Sequence, residues 1–190
     1  MKTHPGRQSK RLKNYDYRSY GAYFVTICVR NRRCLFGSVA NGSTSLACIG
    51  RTLQQCWLEI PRHQPFAALD EFTVMPNHFH GIVWISAEAL QTATVKANVT
   101  PAAGFLKDSL SSVIAAFKSA VTRMSNRHLG KPGKSFWQRS FYDHVIRDDD
   151  ELQIIRQYII DNPRQWQLDR ENPRRTGINP FYAWLEAKAP

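Results

Sequence analysis

Apolar positions along the chain fall into a few patterned blocks. Residues 23–30, YFVTICVR, are rich in β-branched and aromatic side chains and predict a first strand, closed by Asn31-Arg32-Arg33. Residues 66–75 and 80–85 predict a second and a third strand joined through Pro76-Asn77, and residues 141–147 a short fourth. After a loop containing Gly37, Asn41 and Gly42, the residues Leu46, Ile49, Leu53, Cys56, Trp57 and Ile60 recur at helical spacing. They predict a helix capped by Ser43 or Thr44 and running to about Ile60. Residues 109–128 predict a second helix, with Leu110, Val113, Ile114, Phe117, Val121 and Met124 on one stripe and Lys118, Arg123 and Arg127 on the other face. Asp148 predicts the cap of a last helix that ends near Asp161, before Pro163. The acids at 149–151 complement its positive end, and Glu151 stands at the capping-box position. Residues 86–107 show no period and read as a loop.

The order β-α-β-β-α-β-α predicts an α+β fold, a ferredoxin-like antiparallel sheet with an additional C-terminal helix that carries Tyr158. Both crossover helices then cover one face of the sheet, and the other face is left open for a site. The expected organisation is a basic N-terminal arm over residues 1–20, one domain over 21–168, and a tail over 169–190.

Composition narrows the partners. The chain has 190 residues with 43% hydrophobic and 12% aromatic content, enough for a globular core. Its 26 Lys+Arg against 15 Asp+Glu give a net charge of +11, which favours a polyanion such as nucleic acid. No apolar run is long enough to span a bilayer, and the basic start lacks the apolar segment of a secretory signal. No membrane partner and a cytoplasmic location are therefore expected. Cys28, Cys34, Cys48 and Cys56 form no C-x-x-C pair and are expected as free thiols.

The candidate chemistry starts at His78-Phe79-His80. Residues i and i+2 of a strand share a face, so the imidazoles project together while Phe79 points into the helix-covered core. Paired neutral imidazoles suit a divalent metal; the alternative is two surface histidines at a strand start. A zinc-deaminase signature, H-x-E with P-C-x-x-C, is absent. On the last helix Tyr158 and Asn162 lie four apart on one face, beside the apolar Ile155 and Ile159. They would present a phenol and an amide together, or else be an edge residue and a helix-terminal residue.

The stretches YDYRSYGAYFVTICVRNRRCLFG, MPNHFHGIVW, FKSAVTR and FWQRSFYDHVIRDDDELQIIRQYIIDNP resemble, in this order, the REP-associated tyrosine transposases, a group within the single-tyrosine HUH transposases. The resemblance runs over roughly residues 14–168. It implies that His78 and His80 bind a divalent metal, Mg²⁺ or Mn²⁺, with Asn162 as third ligand where some relatives carry Gln. It implies that Tyr158 is the nucleophile in cleavage and rejoining of single-stranded or hairpin DNA through a 5′-phosphotyrosine link, as a monomer or a homodimer. An inactive hairpin-binding regulator and a metal-dependent hydrolase using water are the alternatives. Lys118 and Arg123, with Lys131 and Lys134 in the basic loop, could meet DNA phosphates. Arg139 and His144, in the stretches the resemblance marks, are further candidates for DNA or site contacts. Residue 147 is three positions from His144, so in a regular strand Arg147 would face the other way. Arg7, Lys10, Arg11 and Lys13 of the arm could add a grip on a hairpin.

Overall fold

The computed structural model describes residues 20–86, 109–130 and 135–188. The basic arm up to residue 19, the expected loop over 86–107 beyond its first residue, and Lys131 and Lys134 lie outside the described residues. The elements run β1 (Gly21–Cys28), β2 (Gly37–Ala40), β3 (Ser43–Leu46), α1 (Cys48–Leu58), α2 (Ile60–His63), β4 (Ala67–Val74), β5 (His78–Ile85), α3 (Leu110–Leu129), β6 (Tyr142–Ile146), α4 (Asp149–Asp161) and α5 (Pro180–Ala187). Four strands form one sheet in the order β4-β5-β1-β6, with every neighbouring pair antiparallel. This is the expected ferredoxin-like arrangement. No described helix is long and apolar enough to cross a membrane.

The central strands are buried on both faces, which is why β1 reads as a continuous apolar run rather than an alternation. On one face Tyr23, Val25, Ile27, Phe79 and Val83 meet Leu53 and Trp57 of α1 and Val113, Phe117 and Val121 of α3. The Trp57 ring lies 4.4 Å from Phe79, between centroids. On the other face Phe24 and Ile82 meet Ile155, Tyr158 and Ile159 of α4 and Phe181 and Leu185 of α5. The second face is thus not open as expected. The tyrosine helix and the tail cover it, because the alternate positions Ala22, Phe24 and Ile82 are apolar and must be buried too.

Two further departures concern local structure. Residues 43–46 are a strand rather than the start of α1. Asn41 and Gly42 both take left-handed φ, 52° and 71°, and form the two-residue turn of a β2–β3 hairpin. The helix therefore starts only at Cys48, with Ala47 as N-cap and no side-chain cap. On α4, Asp148 caps as expected, accepting from the Glu151 amide. The Glu151 carboxylate does not close a capping box on Asp148. It accepts from the Arg147 amide at 3.0 Å and lies 3.4 Å from His144 Nε2.

One polar clamp fixes α4 to the sheet. Asp70 of β4 takes two bonds from Arg156 of α4, at 2.8 and 2.6 Å, and one from Trp84 Nε1 of β5 at 2.9 Å. The Arg156 hydrogen bonds, outweighing burial, hold the Asp70 carboxyl at about 2, below its ordinary 3.8. A depressed carboxyl stabilises the fold above its unfolded-state pKa and loses that contribution as pH falls through the folded value. Asp70→Asn should therefore unfold more easily than the parent at neutral pH, with the gap closing between about pH 4 and pH 2, read by chemical denaturation across that range.

Gly81 faces the same core as Phe79. A Cβ there would stand 2.6 Å from Trp57 and 2.8 Å from the Phe79 ring. Gly81→Ala should cost about 1–3 kcal/mol of stability through overpacking, measured by denaturant unfolding.

Candidate active site

Strand register brings the two histidines together. His78 and His80 begin β5, paired with Cys28 and Thr26 of β1, and both are fully buried on the α4 face. Their tautomers are set by neighbours. Asn77 Nδ2 donates to the carbonyls of Arg32 and Glu171, at 3.1 and 2.8 Å, which turns its Oδ1 toward His78 Nδ1 at 2.8 Å. That oxygen can only accept, so Nδ1 carries the proton. Burial, only partly opposed by Asp169, pulls His78 down to about 3 and keeps it neutral. His78 Nε2 therefore presents a lone pair, 3.0 Å from His80 Nε2. His80 Nδ1 lies 2.9 Å from Thr26 Oγ1.

Asp169 completes the cluster from the segment after α4. Its Oδ2 is 3.7 Å from His78 Nε2 and 3.9 Å from His80 Nε2. The same oxygen accepts from Asn162 Nδ2 at 3.0 Å, Tyr182 Oη at 3.0 Å and Tyr158 Oη at 3.4 Å, while Oδ1 accepts from the Glu171 amide at 2.7 Å. Burial opposes its ionisation, but the imidazoles and the Asn162 amide outweigh it and hold the carboxyl well below the usual range.

Tyr158 and Asn162 do share the buried face of α4. The Tyr158 Oη is 3.1 Å from His80 Nε2 and 2.6 Å from Tyr182 Oη. Its ring stacks on Phe181 of α5 at 3.6 Å between centroids. Burial first, then Tyr182 and Asp169, raise the phenol well above its ordinary value. Asn162 points its nitrogen at Asp169, and its buried Oδ1 has no hydrogen-bond partner.

The donor set fits a divalent cation. His78, His80 and Asp169 place one ligand atom each within 4.8 Å of one another, without sulfur; Asn162, expected as the third ligand, stands beside them with its nitrogen on Asp169. Asp169, Tyr182 and Asn77 were not read from the sequence. Thr26 had a faint signal, as a lone hydroxyl inside the apolar run of β1.

The expected DNA-contacting residues divide. Lys118, Arg123 and Arg139 line one groove on the α3 side of the molecule. His144 does not line that groove: it is buried, and Glu151 binds it. Arg147 lies past the end of β6, where strand alternation lapses, so it too reaches Glu151, at 3.7 Å. The four cysteines are free thiols, with Cys28 and Cys56 buried and Cys34 and Cys48 exposed.

Fold and site together define an α+β domain in which an H-x-H strand faces a tyrosine-bearing helix. No family model matches the chain. It is 38% identical over 168 residues to an uncharacterized protein of Haemophilus influenzae (strain ATCC 51907 / DSM 11121 / KW20 / Rd), covering 86% of this chain and 92% of that protein. The chain belongs to one family with that protein. Among solved structures it is similar to a REP-associated tyrosine transposase bound to a REP hairpin, with 22% identity, a TM-score of 0.55, and coverage of 84% of this chain and 74% of that one. The two share a fold.

Outer partners that orient a ligating histidine tune metal affinity. Asn77→Ala should weaken Mn²⁺ binding about 10–100-fold, measured by calorimetric titration.

Proposed function

We propose that the chain is a REP-associated tyrosine transposase, a strand-transferase that cleaves and rejoins single-stranded or hairpin DNA with Tyr158 as nucleophile. The observation that carries this reading is the 3.1 Å approach of Tyr158 Oη to His80 Nε2, at the edge of the His78–His80–Asp169 cluster. A buried phenol beside such a donor set is what covalent phosphoryl transfer needs. The +11 charge and the hairpin-bound structure of similar fold support DNA as substrate.

His78, His80 and Asp169 would hold Mg²⁺ or Mn²⁺, with Asn162 Oδ1 as a further ligand. Imidazole donors make Mn²⁺ the better match. When bound, the cation supplies Lewis acidity to the scissile phosphate. The chain's own residues do the rest. Tyr158 Oη forms a bond to phosphorus as the bond to the 3′-oxygen breaks, giving a 5′-phosphotyrosine and a free 3′-OH. With the imidazole lone pairs turned to the cation, the acceptor within reach of the phenolic proton is the Asp169 carboxylate, from which that proton can pass to the departing 3′-oxygen. A later 3′-OH reverses the step and joins new ends, and Tyr158 regains its proton. Phe181 and Tyr182 cover the phenol, so DNA reaches it only once α5 has moved. A cytoplasmic location accords with the substrate.

One observation favours the second reading, a hairpin-binding regulator that does not cut: Tyr158 is only 6% exposed. Incubation with stem-loop oligonucleotides and Mn²⁺ separates the two. The parent should form a covalent adduct mapped to Tyr158 by mass spectrometry. Tyr158→Phe should form none while binding DNA with affinity within about threefold of the parent. Binding without any adduct in the parent would favour the regulator.

A further inference from the structure

Arg170 follows the Asp169 carboxylate by one position and has no part in the cation cluster. Its guanidinium lies over two aromatic rings, 4.5 Å from the Tyr182 centroid and 5.5 Å from the Tyr142 centroid. The side chain is 25% exposed, so it stands between the buried cluster and solvent. Strand register fixes where that is. Tyr142 of β6, Thr26 of β1 and His80 of β5 pair in turn and form one row across the sheet, on the face that α4 covers. Tyr142 and His80 are thus two strand spacings apart, about 10 Å. Arg170 covers the Tyr142 end of that row.

The second ring under Arg170 holds a position that the substrate needs. Tyr182 Oη lies 2.6 Å from Tyr158 Oη and 3.0 Å from Asp169 Oδ2, bridging the attacking oxygen and a carboxylate of the cation cluster. A phosphate under attack by Tyr158 has to bring its own oxygens to that place, because reacting atoms must approach to about 3 Å. Tyr182 therefore has to leave with α5. Whatever takes the place of its ring then meets the guanidinium that now stacks on it.

The charge suits that role. In-line attack spreads negative charge over the non-bridging oxygens of the phosphate. Arginine offers a planar fork of donors that fits two such oxygens at once. Glu171 offsets Arg170 only in part: it meets Nε at 3.4 Å and answers Arg32 Nε at the same distance. The charge already reaches the nucleophile, where it opposes the burial, Tyr182 and Asp169 that raise the Tyr158 phenol. Other arginines around α4 are committed elsewhere. Arg156 is held by Asp70, and Arg147 by Glu151 and the Lys188 carbonyl.

We propose that Arg170 is a catalytic residue of strand transfer: once α5 has withdrawn Tyr182, its guanidinium binds the non-bridging oxygens of the scissile phosphate and stabilises the charge that develops there. The proposal rests on the DNA strand-transferase reading above. No bond to Arg170 forms or breaks, and the guanidinium keeps its protons throughout, so proton transfer stays with Asp169. The imidazoles come from β5 and the guanidinium covers the β6 side, so a phosphate at Tyr158 is met from two directions. A fixed donor aimed at developing charge, in a site closed to water, is the arrangement that lowers such a barrier most.

The test is the single-turnover rate of adduct formation by the full chain on stem-loop oligonucleotides, at saturating DNA and Mn²⁺. Arg170→Ala should slow it at least about 100-fold while DNA affinity changes by no more than about tenfold, the split expected of a contact made in the transition state. Arg170→Lys, a point charge without the fork, should fall between the two. Mn²⁺ affinity, by calorimetric titration, should not drop in either variant. Arg147→Ala, which frees the far end of α5, should not slow the adduct. A residue that only pins α5 gives the opposite sign: R170A would then react as fast as the parent or faster, and that result would overturn the proposal. So would a slow R170A whose Mn²⁺ affinity falls in parallel, since Arg170 would then act only by positioning Asp169. If R170A melts below the assay temperature, R170K decides, and a parent-like rate in it overturns the proposal. A parent that never forms an adduct on any stem-loop sinks the cleavage reading and this role with it. Parent adducts with an unslowed R170A sink this role alone and leave the cleavage reading standing.

Discussion

A carboxylate with no exposed surface must be hydrogen-bonded or neutralised on every side, and Asp169 meets that demand only because four parts of the chain converge on it. β5 supplies the imidazoles, α4 the Asn162 amide and the Tyr158 phenol, α5 the Tyr182 hydroxyl, and the turn after Asp169 the Glu171 amide. Withdrawing one of them leaves a buried charge short of a partner, which costs more than the lost bond itself. The same carboxylate therefore ties the tail to the sheet and sets the electrostatics of the site. It also links folding to chemistry: the groups that satisfy Asp169 are the groups that would bind a cation and attack a phosphate.

The pleat of β5 lets one strand serve two purposes. Phe79, Gly81 and Val83 close the core under α1 and α3, while His78, His80 and Ile82 face α4 and α5. Gly81 leaves room for Trp57 to lie against the sheet, so the helix layer seats closely on the face opposite the histidines. Asp70 and Arg156 fix α4 from the sheet edge.

How much of this could be read from the sequence depends on the range over which each residue acts. Strand alternation is local, so His78, Phe79 and His80 could be assigned to faces directly, and the spacing of Tyr158 and Asn162 on α4 likewise. The order of apolar blocks was enough for the ferredoxin-like sheet. The β2–β3 hairpin carried a local signal, Asn41-Gly42, but its strands are four residues each and polar, too short for alternation to stand out against the helix that follows. Asp169 left no local trace. It sits in an irregular segment with no period, and only the docking of α5 on Phe24 and Tyr158 brings it to the histidines. The partner of His144 was equally out of reach of local pattern: Glu151, in the first turn of α4, binds it across the β6–α4 corner.

The central claim is that the facing Nε2 atoms of His78 and His80 and the carboxylate of Asp169 form a single cation site beside Tyr158. Anomalous diffraction from crystals grown with Mn²⁺ tests it directly. One strong peak is expected, bounded by both Nε2 atoms and an Asp169 oxygen, next to the phenol. Manganese found only on exposed acids such as Asp149 and Asp150, with the two imidazoles still in contact with each other, would contradict it.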